Sequence, residues 1–123
     1  MKLVENTENS LNIISSATSD EIVVNGNTIQ ESCIINSNTV MSDLQLKSIE
    51  QLSSTHIEYL LSNRPEIIIL GSGLVHQFPQ VDLLQPLAQN NVGLEVMTNK
   101  SAVRTFNVLM AEDRNVACLL IIG

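Results

Sequence analysis

Residues 65–73 read PEIIILGSG, residues 93–114 read GLEVMTNKSAVRTFNVLMAEDR, and residues 115–123 read NVACLLIIG. The first piece is a continuous apolar run, Ile67 to Leu70, that ends in Gly71-Ser72-Gly73. Such a run, too short for a helix, fits a strand covered on both faces. The second piece is a strand over Val92–Val96 feeding an amphipathic helix, whose buried face is Ala102, Val103, Phe106, Leu109 and Met110. The third, Val116 to Ile122, is another buried strand. Strands alternating with helices imply parallel pairing through right-handed crossovers. The expected class is α/β.

Working outward, Phe78-Pro79 precedes VDLLQPLAQN, a short helix that Pro86 splits or kinks. Upstream, Leu46, Ile49, Leu52, His56 and Leu60 share one helical face, predicting a helix from about Ser48 to Leu61 that Asn63 and Pro65 end. Asn36 to Met41 reads as a polar connector. From Ser10 to Ile35 the chain breaks into short β-prone pieces around Ile13-Ile14, Ile22–Val24, Thr28-Ile29 and Cys33–Ile35. Asn25-Gly26 supplies the positive φ angles of a tight hairpin. This half is an antiparallel meander of three or four strands. Residues 1–10 are polar and read as a flexible N-terminus, with one domain over 11–123.

Net charge is −7, and the acids are concentrated: residues 1–60 hold eight acids and two bases, residues 61–123 five and four. An acidic surface repels phosphate backbones, and Phe78, Phe106 and Tyr59 are the only aromatics, so nucleic acid is not an expected partner. The longest apolar runs fall far short of the ~20 residues that span a bilayer. The opening MKLVENTENSLN resembles neither a secretory signal nor an Arg-rich transit peptide, so the expected compartment is the cytoplasm. Cys33 and Cys118 lie in apolar runs without ligand spacing, so buried free thiols are expected and no metal, although their separation leaves a disulfide open.

Three groups of residues could carry chemistry. Gly71-Ser72-Gly73 can aim backbone N–H groups at an anion, but position 76 is His76 where a dinucleotide fingerprint needs a third glycine, and no Gly-Lys-Ser/Thr follows. The simpler reading is a tight strand exit. Ser72 and His76 do not form a nucleophile elbow, since the order is Leu-Gly-Ser-Gly-Leu. Glu95 interrupts a strand otherwise fit for burial; it is either paired structurally, with Arg104 or Arg114, or an acid/base. Thr98 or Asn99 caps the next helix, and Arg104, Thr105 and Asn107 occupy its less apolar side. Gly71, Ser72, Gly73, Glu95, Thr98, Arg104, Asn107 and Arg114 thus define a candidate cleft or anion site at the carboxyl ends of the strands.

The same residues carry a resemblance. Gly71-Ser72-Gly73, Pro79, Gly93-x-Glu95-x-Met97, Ala102, Arg104-Thr105-Phe106-Asn107, Leu109 and Glu112-x-Arg114-x-Val116, in that order, resemble the Mth938-like domain, also called DUF498, over roughly residues 10–123. Ser72 stands where that family commonly has threonine, and Asp113 where glycine is usual in the turn. The resemblance implies a single α/β domain with sheet layers on one side and about three helices on the other. It also implies kinship with a mitochondrial complex I assembly factor, and no settled enzymatic activity or cofactor. No complete catalytic set accompanies it. The expected function is therefore a non-enzymatic interaction or assembly-factor-like domain with a protein partner. The alternative is a small-molecule or anion-binding protein, an enzyme included. Self-association through an apolar surface is a third reading.

Overall fold

β7 (Ile67–Gly71) lies between two parallel neighbours, β8 (Gly93–Met97) on one side and β9 (Val116–Leu120) on the other. The computed structural model describes residues 1–6 and 11–123 of the chain. β9 continues antiparallel into β5 (Cys33–Ile35), β5 into β6 (Thr39–Ser42), and β6 into β1 (Lys2–Glu5), giving the order β1-β6-β5-β9-β7-β8. A second, antiparallel sheet is made of β2 (Ile14–Ala17), β3 (Ile22–Val24) and β4 (Asn27–Ile29). Asn25 and Gly26, at φ +50° and +81°, turn β3 into β4 as the dipeptide predicts.

The expected α/β class and both kinds of strand pairing are present. The helices, expected together on one side, divide between the two faces of the large sheet. α1 (Ser54–Leu61) and α2 (Gln85–Gln89) place Ile57, Leu60 and Leu87 against Ile68 and Leu70 of β7 and Leu119 of β9. α3 (Asn99–Ala111) places Ala102, Phe106 and Met110 against Ile69, Cys118 and Leu120 on the opposite face, where Ile14, Ile22 and Val24 of the small sheet join it. The reason is the crossover rule. From β7 the chain steps one way to β8, then back past β7 to β9; two right-handed crossovers in opposite directions must run over opposite faces. Period-two alternation in β7 then gives each face its own core.

Other departures have local causes. Lys2–Glu5, expected to be flexible, pair with Thr39–Ser42, while residues 7–10 of the same expectation lie outside the described residues. The expected connector 36–41 contains β6, because the Asn36 side chain accepts from the Asn38 and Thr39 N–H groups at 3.1 and 2.8 Å and turns β5 straight into a hairpin. The helix expected over 48–61 is split into a 3₁₀ turn, Ile49–Gln51, and α1. Ser53 restarts it as an N-cap: its N–H donates to His56 Nδ1 at 3.0 Å, while His56 Nε2 lies 2.7 Å from the Leu44 carbonyl. That pairing sets the ring as the Nε2–H tautomer and satisfies a buried histidine. Pro86 sits in the first turn of α2, where its missing N–H is no loss.

Cys33 and Cys118 are fully buried and free, two register positions apart on the same face, Cys33 opposite Leu120 and Cys118 opposite Ile35. Burial, with the nearby Glu31 carboxylate, pushes the Cys33 thiol up to about 12; burial, with Cys33 beside it, pushes Cys118 up as well. Native protein should therefore be inert to a thiol reagent at pH 8, and both thiols should react on unfolding. The sign of the linkage is set by thiols that stay protonated when folded but ionise near 9.0 when unfolded. The contribution is complete below that value and declines as pH rises above about 9, for Cys33 towards about 12, so the urea midpoint should fall in that range and fall less in Cys33→Ala/Cys118→Ala. Fast labelling of native protein would contradict the placement.

Candidate functional site at the ends of β7 and β8

The loop after β7 leaves towards α2 on one face, and the loop after β8 leaves towards α3 on the other. Open α/β sheets form their ligand crevice where neighbouring loops part in this way. Here the crevice is closed by the chain's own hydrogen bonds. Ser72 N–H donates to the Met97 carbonyl at 2.9 Å, and Asn99 N–H to the Gly73 carbonyl at 2.9 Å. Gly73 N–H donates to Asn99 Oδ1 at 3.0 Å. The Ser72 hydroxyl donates to the Val75 carbonyl at 2.7 Å and accepts from Gln77 N–H at 3.1 Å. An anion hole needs free N–H groups, and those of Ser72 and Gly73 are spent inside the protein.

Asn99, which the sequence offers only as an alternative cap, has a role that sequence reasoning does not reach. Thr98 takes the cap of α3, accepting from Ser101 N–H at 3.5 Å, which frees the Asn99 amide. Buried at 4% exposure, that amide bonds Gly73 with its oxygen and donates to the Ile121 carbonyl at 2.8 Å with its nitrogen. One side chain thus ties the glycine loop, the helix start and the C-terminal segment together. The glycines obey the same geometry. A Cβ on Gly71 would lie 2.5 Å from Asn99 Oδ1 and 2.7 Å from Leu120, and Gly73 has φ +102°. The available signal was the pair Thr98-Asn99, since a single helix start needs one cap and the second amide must bond elsewhere.

The remaining predicted residues are dispersed. Asn107 faces the small sheet, where its amide accepts from Ile14 N–H at 3.0 Å and donates to the Ile14 carbonyl at 2.8 Å, docking α3 on β2. Arg114 lies at the amino end of the parallel strands, about 13 Å of strand from Gly71, and bonds Glu66 at 2.7 Å. Neither Arg104 nor Arg114 pairs with Glu95; among the described residues Glu95 and Arg104 are exposed and form no ion pair. β8 is an edge strand, so Glu95 meets solvent and needs no partner. Gly71, Ser72, Gly73 and Thr98 alone among the candidates sit together. Beside them is an open hollow of about 280 Å³ bordered by Lys47, Val75 and Asn99.

The surface next to the crevice is apolar. After β7, Leu74, Val75 and Phe78 in the loop, and Val81 at the start of the 3₁₀ turn that follows, are 64–80% exposed, while Pro79 is buried. The loop is nevertheless fastened. Gln77 Nε2 donates to Glu50 at 2.7 Å, a bond that holds the Glu50 carboxyl below its usual range. His76 Nε2 lies 3.1 Å from the Val96 carbonyl, and its ring stands edge-on to Phe78. Ordered, exposed apolar side chains in one loop are an unusual surface.

Comparison with known proteins places this geometry. The model of a family described as "Protein of unknown function (DUF498/DUF598)" matches residues 14–121. The "13 kDa major membrane protein" of Francisella tularensis is 29% identical over 77 residues, covering 63% of each chain. "NADH dehydrogenase [ubiquinone] 1 alpha subcomplex assembly factor 3" of Danio rerio is 30% identical over 105 residues, covering 80% of this chain and 57% of that one. The chain thus spans about three fifths of the length of these curated relatives. Among solved structures, a Xanthomonas campestris protein shares 34% identity and a TM-score of 0.84, covering 96% of this chain and 91% of its own. A Bordetella pertussis protein described as an Mth938-like domain is alike in fold, with TM-score 0.78 at 21% identity over 98% of this chain and 92% of its own. Among the described residues no helix is long and apolar enough to cross a membrane.

Two substitutions check the site. Asn99→Ala strips partners from the Gly73 N–H and the Ile121 carbonyl, and should destabilise by about 2–4 kcal/mol in urea unfolding; a loss below about 0.5 kcal/mol would contradict the clamp. Arg114 holds the Glu66 carboxyl below its ordinary value of 4.5. That contribution is complete above pH 4.5 and lost as pH falls through the lowered value. Arg114→Ala should return Glu66 towards its ordinary value in an NMR titration, and an unmoved titration would exclude the pair.

Proposed function

The chain belongs to the DUF498/DUF598 family, and from that footing we propose that it is a non-enzymatic, cytoplasmic protein-interaction domain that serves the assembly of other proteins. The observation that carries this reading is the fastened apolar stretch 74–81, with four side chains largely in water. Covering such side chains is favourable by about 1–2 kcal/mol each, enough together to anchor a partner. The relatives named as assembly factors support the same reading. The alternative, a small anionic ligand near Gly71–Gly73, Glu95 and Arg104, is favoured by one observation, the hollow that Lys47 and Gly73 border. Its weakness is that the Ser72 and Gly73 N–H groups are already bonded.

Affinity purification from the native cell tests the proposal, with Leu74→Ser/Phe78→Ser as the comparison. Both side chains are exposed, so the fold should persist, as circular dichroism would verify. The wild type should retain a specific partner that the variant loses. Equal retention by both, or a thermal shift of several degrees with an anionic metabolite that Lys47→Ala abolishes, would favour the alternative.

A further inference from the structure

Among the described residues β8 is a parallel edge strand with no strand on its outer side. Gly93 N–H donates to the Glu66 carbonyl and the Met97 carbonyl accepts from Ser72, so Gly93, Glu95 and Met97 direct their backbone groups at β7. By alternation, Leu94 and Val96 direct theirs outward. The Val96 carbonyl is taken by His76. Among the described residues the Leu94 N–H, the Leu94 carbonyl and the Val96 N–H have no partner strand. Natural sheets usually blunt such an edge, and an open one is a template for another strand. Here the apolar loop that holds His76 adjoins the same edge.

We infer that this edge accepts an extended segment of the partner protein by strand addition, a deepening that rests on the interaction role proposed above. Side-chain chemistry along β8 specifies the segment. Leu94 and Val96 are half-buried on the α2 side, opposite Ile68 and Leu70 of β7, and call for apolar neighbours. Glu95 stands between them on the α3 side, exposed and without an ion pair among the described residues, and calls for a basic neighbour. The segment therefore alternates apolar, basic, apolar. A second copy of the chain does not fit. In a twofold antiparallel pair, the register that joins Leu94 to Val96 of the other copy sets Glu95 against Glu95. The neighbouring registers call on the Val92 N–H, already bonded to the Leu87 carbonyl, or on the Val96 carbonyl held by His76. Like charges directly opposite destabilise a strand pair, and each copy carries a net −7. Strand addition draws affinity from main-chain bonds and specificity from alternate side chains.

The test uses the ¹⁵N-labelled full chain and end-blocked peptides Thr-Val-Arg-Val-Thr, Thr-Val-Glu-Val-Thr, and the arginine peptide N-methylated at both valines. At about tenfold over its Kd the arginine peptide should slow exchange of the Leu94 and Val96 amides about tenfold. The methylated peptide, which lacks the edge-facing donors, should give no protection. Glu95→Lys, a change at an exposed side chain without a bond among the described residues, should reverse the preference to the glutamate peptide. Absence of protection at Leu94 and Val96 up to the solubility limit, equal binding of the methylated peptide, or an unchanged preference in Glu95→Lys would overturn strand addition. No protection, together with partner loss in Leu74→Ser/Phe78→Ser, overturns the edge alone and leaves the interaction role standing. Protection without that partner loss supports the edge and removes the loop from the account.

Discussion

The constraint on which the structure depends is that β7 must run parallel to both of its neighbours. Parallel pairing on both sides forces a reversal of direction between two crossovers, and handedness then places α2 and α3 on opposite faces. Two separate cores follow, one for each face of a strand whose residues from Ile68 to Gly71 are all buried. The reversal also opens a crevice where the loops part. In this chain Asn99 closes it, and Gly71 has no side chain because that amide and Leu120 fill the space. The loop is thereby fixed, and its apolar residues are held outward rather than folded into the sheet.

The proposed function rests on what closure leaves available. A crevice stitched by Ser72, Gly73 and Asn99 offers few free donors for an anion. The surface beside it offers apolar side chains and, among the described residues, a strand edge without a partner strand, and on the proposed reading another polypeptide satisfies both. Glu95, which looks in the sequence like a buried acid, is an exposed charge on that edge. Its proposed role is selection among partners, since an edge with a charge at its centre rejects strands with a like charge opposite.

Much of the fold was legible because periodicity reports burial directly. Ile67–Leu70 and Val116–Leu120 are apolar at every position because both faces are covered, and Ala102, Phe106 and Met110 mark the buried side of α3. Asn25-Gly26 marked its turn by chirality alone. Asp113, at φ +60°, occupies a position where the resembled family usually has glycine, and the left-handed backbone explains that preference. The failures are tertiary. Lys2–Glu5 has no buried residue, so nothing in its pattern announces a strand; only the partner β6 makes it one. The placing of helices on two faces depends on strand order, which no local window contains. The site was partly legible. Gly71, Ser72, Gly73 and Thr98 do meet, but Arg114, expected in the same cleft, stands at the other end of the sheet, because sequence spacing does not tell one end of a strand from the other. Asn99 reads in the sequence only as an alternative cap, since its two long-range partners lie 22 and 26 residues away.

The central claim is that the crevice is closed by internal bonds. Native-state hydrogen exchange at the Ser72 and Gly73 amides measures this directly, because each exchanges only when its bond to Met97 or Asn99 opens. The account predicts protection at both amides comparable to that of Ile69 and Leu70 within β7, unchanged when inorganic phosphate is added. Exchange at the rate of an open loop, or protection that develops only with phosphate, would contradict it and return the crevice to the role of an anion site.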